Sequence, residues 1–410
     1  MPLKKTVILF LAPLMLAAIF GISAGPVAAA PASGAAAWLE SQVAAGDGSQ
    51  PLFLPSYAAA PPLSEGAKIN NFAYLYDNAV AAIALSYAGK DERARQIADA
   101  IVYAYGHDRA LSDGRLRNAY AAGNPAAGGA FAPLPGFYDQ KEQKWCEDYY
   151  AASTDTGNLA WAMLALCQVS RRAPEPAKYL QAAKDIGDFV LTLQDAKGGF
   201  TGGYAGWDGQ QTKVTYKSTE HNIDLIAAYA NLASLTGEAK YACASRHAKA
   251  FVLSMYDAGK GCFYTGTAAD GVTVAKEPLP LDTNTWAILV LRGDCPNMAK
   301  TLAFIETNMA VGGGYGFNGD KDGVWFEGTA QVALAYKQAG NLVKYQQVLD
   351  FLNQNAERSG AITAADRDGV STGFMVSGTK IPWQYGKRQH IGATAWLAFA
   401  QLGVNPFWDD

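Results

Sequence analysis

Five carboxylates in this chain stand at the heads of Ala-rich apolar runs. Asp77, Asp155, Glu220, Asp282 and Glu327 lead into AVAAIALSYA, LAWAMLAL, IDLIAAYANL, TWAILVL and AQVALAY, and a sixth run, ATAWLAFAQL, follows His390-Ile391-Gly392. Asp and Asn at such positions can simply cap a helix by accepting from its free N–H groups. Capping explains Glu220 and Glu327 less well, because Glu is not a favoured N-cap residue. The chemical reading is acid–base work: one carboxyl kept protonated by its surroundings, another ionised, both facing one cavity. Glu327 lies among Trp325, Phe326 and Gly328, an apolar setting that would raise a carboxyl pKa.

The densest polar cluster is Lys217-Ser218-Thr219-Glu220-His221-Asn222-Ile223-Asp224. Glu220 is the leading general acid, with Asp155 or Asp282 facing it as base. Glu327 and Asp77 complete the site or replace one of these. Asn78, His221, Asn222 and His390 are candidate substrate contacts, although a satisfied buried imidazole is the ordinary reading of His221. No second His follows Glu220-His221 at helical spacing, so no zinc site is expected. Asn318-Gly319-Asp320-Lys321-Asp322-Gly323 superficially resembles a calcium loop. Its closing Glu would fall at Thr329, so a solvated turn is expected instead. No cofactor is expected either, since no dinucleotide-binding glycine loop, P-loop or nucleophile elbow is present.

Aromatic residues crowd the same stretches: Trp145, Tyr204, Trp207, Tyr216, Tyr264, Tyr315, Trp325, Trp383 and Tyr385. Many should be core. Trp207, in Tyr204-Ala205-Gly206-Trp207-Asp208-Gly209, has little around it in sequence to bury it. Flat aromatic faces beside carboxylates suit a sugar ring, whose axial C–H groups pack on π faces. Tyr204, Tyr216 and Trp325 are candidates for the same role. Arg117, with Arg115, Lys213, Lys217, Lys387 and Arg388, could hold a carboxylate on a substrate.

Positioning these groups needs two kinds of helix. The runs behind the carboxylates are apolar on every side, as an enclosed helix should be. Between them lie six segments beginning near Ala37, Glu92, Lys178, Lys240, Asn297 and Lys344. DERARQIADAIVYAY and KYLQAAKDIGDFVLTLQ, among these, carry charge on one face and apolar residues at helical spacing on the other. Recurrence on this scale reports architecture. An inner ring of six buried helices inside an outer ring of six amphipathic ones, an all-α (α/α)6 toroid, satisfies both patterns. Glycines flanking aromatic pairs, as in Gly198-Gly199-Phe200 and Gly313-Gly314-Tyr315, predict short β-hairpins before the inner helices. These hairpins should gather at one rim.

Residues 1–29 read as a signal peptide: Lys4 and Lys5, the apolar run Thr6 to Ile22, then Val27-Ala28-Ala29. A periplasmic or secreted protein is therefore expected, with no membrane span after signal removal. Residues 30–410 are expected to form one domain, because an annular core escapes the usual size ceiling. Losing Lys4 and Lys5 takes the net charge from −4 to −6, which argues against nucleic acid as a partner. The five cysteines follow no metal-ligand spacing, and no essential disulfide is expected.

On Ser218–Asp224, Trp325-Phe326-Glu327-Gly328-Thr329-Ala330-Gln331 and His390-Ile391-Gly392-Ala393-Thr394-Ala395-Trp396, the chain resembles the six-hairpin glycosidase superfamily. The resemblance covers nearly all of residues 30–410. It implies a catalytic cavity at one rim, an acid and a base from different inner helices, and often inversion at the anomeric carbon. The expectation is a glycoside hydrolase on an oligo- or polysaccharide. The same fold also serves lyases and epimerases on uronic sugars, and a non-catalytic glycan-binding protein of envelope polysaccharide assembly is a third possibility. Fold alone does not choose among them.

Overall fold

The structure, a computed structural model, describes residues 34–46, 50–61, 64–376 and 380–409. The signal peptide expected over residues 1–29 lies outside the described residues. Ala32–Asp410 forms one compact unit. No helix among the described residues is long and apolar enough to cross a membrane.

The enclosed helices are α2 (Leu75–Tyr87), α5 (Thr156–Ser170), α7 (Thr219–Thr236), α9 (Leu281–Leu291), α11 (Phe326–Gln338) and α13 (Ile391–Leu402). Every residue of α9 is buried, and α5 is buried throughout except at Asn158. The outer helices are α1 (Gly34–Ala44), α3 (Asp91–Gly106), α6 (Pro176–Leu191), α8 (Ala239–Ser254), α10 (Met298–Met309) and α12 (Leu342–Asn355). A short α4 (Tyr149–Ala152) lies in the loop before α5. Helix α6 shows why the outer set is amphipathic: it buries Tyr179, Ala182, Ala183, Ile186 and Val190, the stripe that a period of 3.6 places on one side.

Each inner helix packs on the inner helices before and after it, and α13 packs on α2, so the ring is closed. Helix α1 covers α13, and the first helix thus completes the last pair. Alanines dominate the contact surfaces; Ala79, Ala81, Ala82 and Ala84 in α2 have no exposed surface. Small side chains let neighbouring helices approach closely, and the rest of the annular core fills with Trp, Leu and Ile.

All strands are short and antiparallel. Gly203–Ala205 pairs with both Thr154–Asp155 and Thr212–Val214, which ties the head of α5 to the loop before α7. The approach is tight enough to demand glycine: Gly203 has φ +120°, and a Cβ there would strike the Thr154 carbonyl. Such cross-ties hold the inner-helix heads in a common frame.

Candidate active site at the mouth of the toroid

The fourth residue of five inner helices grips the segment that precedes it. Asn78 exchanges hydrogen bonds with the Leu54 backbone, accepting at 2.8 Å and donating at 3.1 Å. Asn222 does the same with Phe200. Asn284 accepts from Phe263 N–H, Thr329 from Tyr315 N–H, and Thr394 from Ile362 N–H. These side chains are fully buried. Asn78 and Asn222 are therefore structural clamps, not substrate contacts, a correction to the expectation. Their amide groups are consumed by backbone that would otherwise lack partners.

The clamps free the residues beside them. Asp77, Glu220 and Glu327 do not occupy cap positions, and Asp155, which does, makes no capping bond. Asp282 accepts from the neighbouring Thr283, from its N–H at 2.6 Å and its hydroxyl at 3.4 Å. Asp282 and Glu327 are almost fully buried, whereas Asp155 and Glu220 are half-buried. The groups act on one another. Burial is the main cause that pushes Glu220 well above the usual carboxylate range, and repulsion from Asp282, Asp224, Glu327 and Asp155 adds to it. Burial also raises Asp282 to about 7 and Glu327 to about 8. Asp155 rises only to about 6, because hydrogen bonds from Asn118 and Tyr150 partly offset burial.

Glycine makes room for this crowd. At Gly392, in the α13 position equivalent to Glu327, a Cβ would lie 2.5 Å from Asp77 Oδ1 and 3.0 Å from Glu327 Oε2. At Gly157 it would lie 2.5 Å from His221 Cδ2. His390 stacks on Tyr57 with ring centroids 4.4 Å apart. Its Nδ1 accepts from Ala393 N–H at 3.2 Å, which leaves Nε2 to donate to Asp77 Oδ2 at 3.2 Å. Burial opposes charge on this imidazole, but the Asp77 carboxylate outweighs it and raises the pKa. His221 has no such partner: burial lowers it to about 4, and Nδ1 has no hydrogen bond.

Several expected contacts are walls instead. Arg117 is fully buried, with Nε 2.5 Å from Asp108 and an Nη 2.7 Å from Asp208; it holds two loops together and cannot reach a ligand. Trp325 is 1% exposed and stacked against Tyr385 at 5.6 Å. The Arg115 guanidinium covers the face of Tyr204 at 4.5 Å, so that ring is occupied. Lys217 is buried and donates to Gly198 O, and Arg388 donates to Ala58, Gly66 and Asn70. Tyr216 does face the site, lying against Gly202 and close enough to feel Asp155 and Glu220. Trp207 is 40% exposed and meets Tyr149 edge-on at 5.7 Å.

Two features were given no role in the sequence reading. Asp224, one turn inward of Glu220, is fully buried, and neither carboxylate oxygen has a hydrogen-bond partner. Tyr76 donates to Glu327 Oε1 at 2.5 Å and accepts from Trp396 Nε1 at 2.6 Å. With Trp161, Trp286 and Phe407, Tyr76 and Trp396 form an aromatic floor of rings 4.8–6.3 Å apart. The spacing Glu220 to Asp224, one helical turn, was the available signal. No group of three or more His, Cys, Asp or Glu among the described residues is disposed to hold a metal ion.

The sequence matches no family model and no curated protein. The fold, in contrast, is similar to solved structures along nearly its whole length. A sugar epimerase from a ruminal bacterium superposes with a TM-score of 0.60 at 14% identity, over 90% of this chain and 96% of that one. A glycosidase in complex with glucose gives 0.59 at 12%, over 90% and 97%. A GH76 alpha-mannanase from Bacteroides thetaiotaomicron gives 0.53 at 13%, over 91% and 96%. Identities this low speak for the fold alone. With its closed double ring and carboxylates at the inner-helix heads, the chain has the six-hairpin (α/α)6 toroid fold of these structures.

Proposed function

We propose that the protein is an exported glycoside hydrolase acting on a neutral oligo- or polysaccharide, with Glu220 as general acid and Asp155 as general base. One observation carries this reading. Glu220 is a half-buried carboxyl that burial and the carboxyls around it push well above the usual carboxylate range, on the helix next to a half-buried Asp155 that rises only to about 6. That division of labour is what glycoside hydrolysis requires. Glu220 gives its proton to the glycosidic oxygen as the bond to the anomeric carbon breaks. Asp155 takes a proton from the water whose oxygen bonds to that carbon, which inverts its configuration.

Asp282 is sealed more deeply and Glu327 is engaged with Tyr76, so both serve the site by crowding Glu220. Arg115, Arg117, Lys217 and Arg388 are tied up in the walls, so these four do not serve a uronic substrate. Export rests on residues 1–29. Epimerisation is the second reading, favoured by the neutral His221 with its unpartnered Nδ1.

The test is to incubate purified protein with a panel of neutral and uronic polysaccharides and with free sugars. New reducing ends from a neutral glycan support hydrolysis. Absorbance at about 235 nm would mark lyase chemistry, and a changed sugar without new reducing ends would mark epimerisation.

A further inference from the structure

We propose that the hairpin formed by Gly136–Asp139 and Lys144–Glu147 is a distal glycan platform, receiving an extended neutral polysaccharide chain that runs on into the carboxylate cavity. This rests on the carbohydrate reading above and adds to it that the substrate is a polymer. Tyr138 and Trp145 are direct cross-strand partners, so they share one face of the hairpin. They are 52% and 54% exposed. The indole is held rather than loose: a Cβ on Gly136 would lie 2.8 Å from Trp145 Cε2 and Nε1. Trp145 therefore lies down on the bare Gly136 backbone and turns its other side outward. A fixed aromatic with a free face is the element that sugar stacking needs, at little entropic cost on binding.

The platform continues toward the catalytic cavity. Glu147 lies on the same face as Trp145, two residues along the strand. Both of its oxygens accept from Arg109, at 2.6 and 2.7 Å, and Arg109 Nε donates to Asp208 at 2.7 Å. Asp208 is next to Trp207, whose ring meets Tyr149. The adjacent Tyr150 packs on Trp383 at 5.0 Å and lies beside Asp155. The ion pairs thus fix the hairpin to the loop that carries Trp207, and aromatic residues mark the way inward. Two side chains make too small an apolar face for a protein interface of standard size, about 800 Å² per partner.

The experiment is affinity electrophoresis of the full chain carrying Glu220→Gln, in gels containing soluble starch or α-mannan. Retardation by at least one polymer is expected. Trp145→Ala should weaken it about tenfold, the loss of one aromatic hot spot. Trp145→Phe should restore most of it, which separates a lost platform from a misfolded hairpin. In the Glu220-containing protein, Trp145→Ala should raise KM on the polymer and leave short aryl glycosides unaffected. Equal retardation with and without Trp145 overturns the proposal, as does no retardation in either gel. So does conversion of a dimer to a monomer by Trp145→Ala. Binding needs no turnover, so these outcomes stay distinct from failure of the hydrolase reading, which reducing ends decide.

Discussion

Glu327→Gln should stabilise the protein at neutral pH, although it removes a residue from the heart of the site. Glu327 is 3% exposed, and burial raises its carboxyl from 4.5 to about 8. Below pH 4.5 the folded and unfolded chains both carry the proton, and the group costs nothing. Between pH 4.5 and 8 the unfolded chain releases it while the folded chain keeps it, so stability falls by about 1.4 kcal/mol per pH unit. At pH 7 the accumulated cost is about 3 kcal/mol, and above pH 8 it stops growing. Glutamine has the shape of the protonated acid and can still accept from Tyr76 O–H, so it should recover that cost. Urea unfolding of both proteins at pH 4 and pH 7 measures it: no difference at pH 4, a gain of about 3 kcal/mol at pH 7. An ionised Glu327 paired with His390 would give the opposite result, destabilisation by the substitution at pH 7.

Arg117→Ala should destabilise by about 3–5 kcal/mol, because Asp108 would be left buried without its partner; an unchanged urea midpoint would refute the structural assignment. Trp207→Ala should weaken oligosaccharide binding by about 1–3 kcal/mol with little change in Tm, whereas a large fall in Tm at unchanged affinity would make it a packing residue. The pH profile of kcat/KM should rise with a midpoint near 6 as Asp155 ionises, then fall at higher pH as Glu220 loses its proton. Asp155→Asn should abolish most activity and the acid limb with it; retention of that limb would transfer the base role to Asp282.

Helix type and order were readable because enclosure and amphipathicity write different patterns, as in LAWAMLALCQVS against KYLQAAKDIGDFVL. The carboxylates were readable because each stands at the head of an apolar run, Glu220, Asp282 and Glu327 as the second residue of their helices. What misled was the identical placement of Asn78 and Asn222: recurrence marked them, but the recurring task is to grip backbone. Arg117 misled for a related reason. Its partners Asp108 and Asp208 are far enough apart in sequence that nothing local shows the guanidinium is committed. Trp325 was expected to offer its face to a sugar, yet Tyr385, sixty positions later, closes over it. Asp224 was named within the polar cluster but given no role, because a single acid inside an apolar run resembles an exposed-face residue until all sides of the helix are enclosed.

Glu220 as the proton donor is tested most directly by Glu220→Gln assayed on paired substrates, a natural glycan and an aryl glycoside with a leaving group that needs no proton. Activity on the glycan should fall by about 10²–10⁴ in kcat and lose its alkaline limb, while the activated aryl glycoside should be largely spared. Full activity of Glu220→Gln on the glycan, or an equal loss on both substrates, would contradict the assignment.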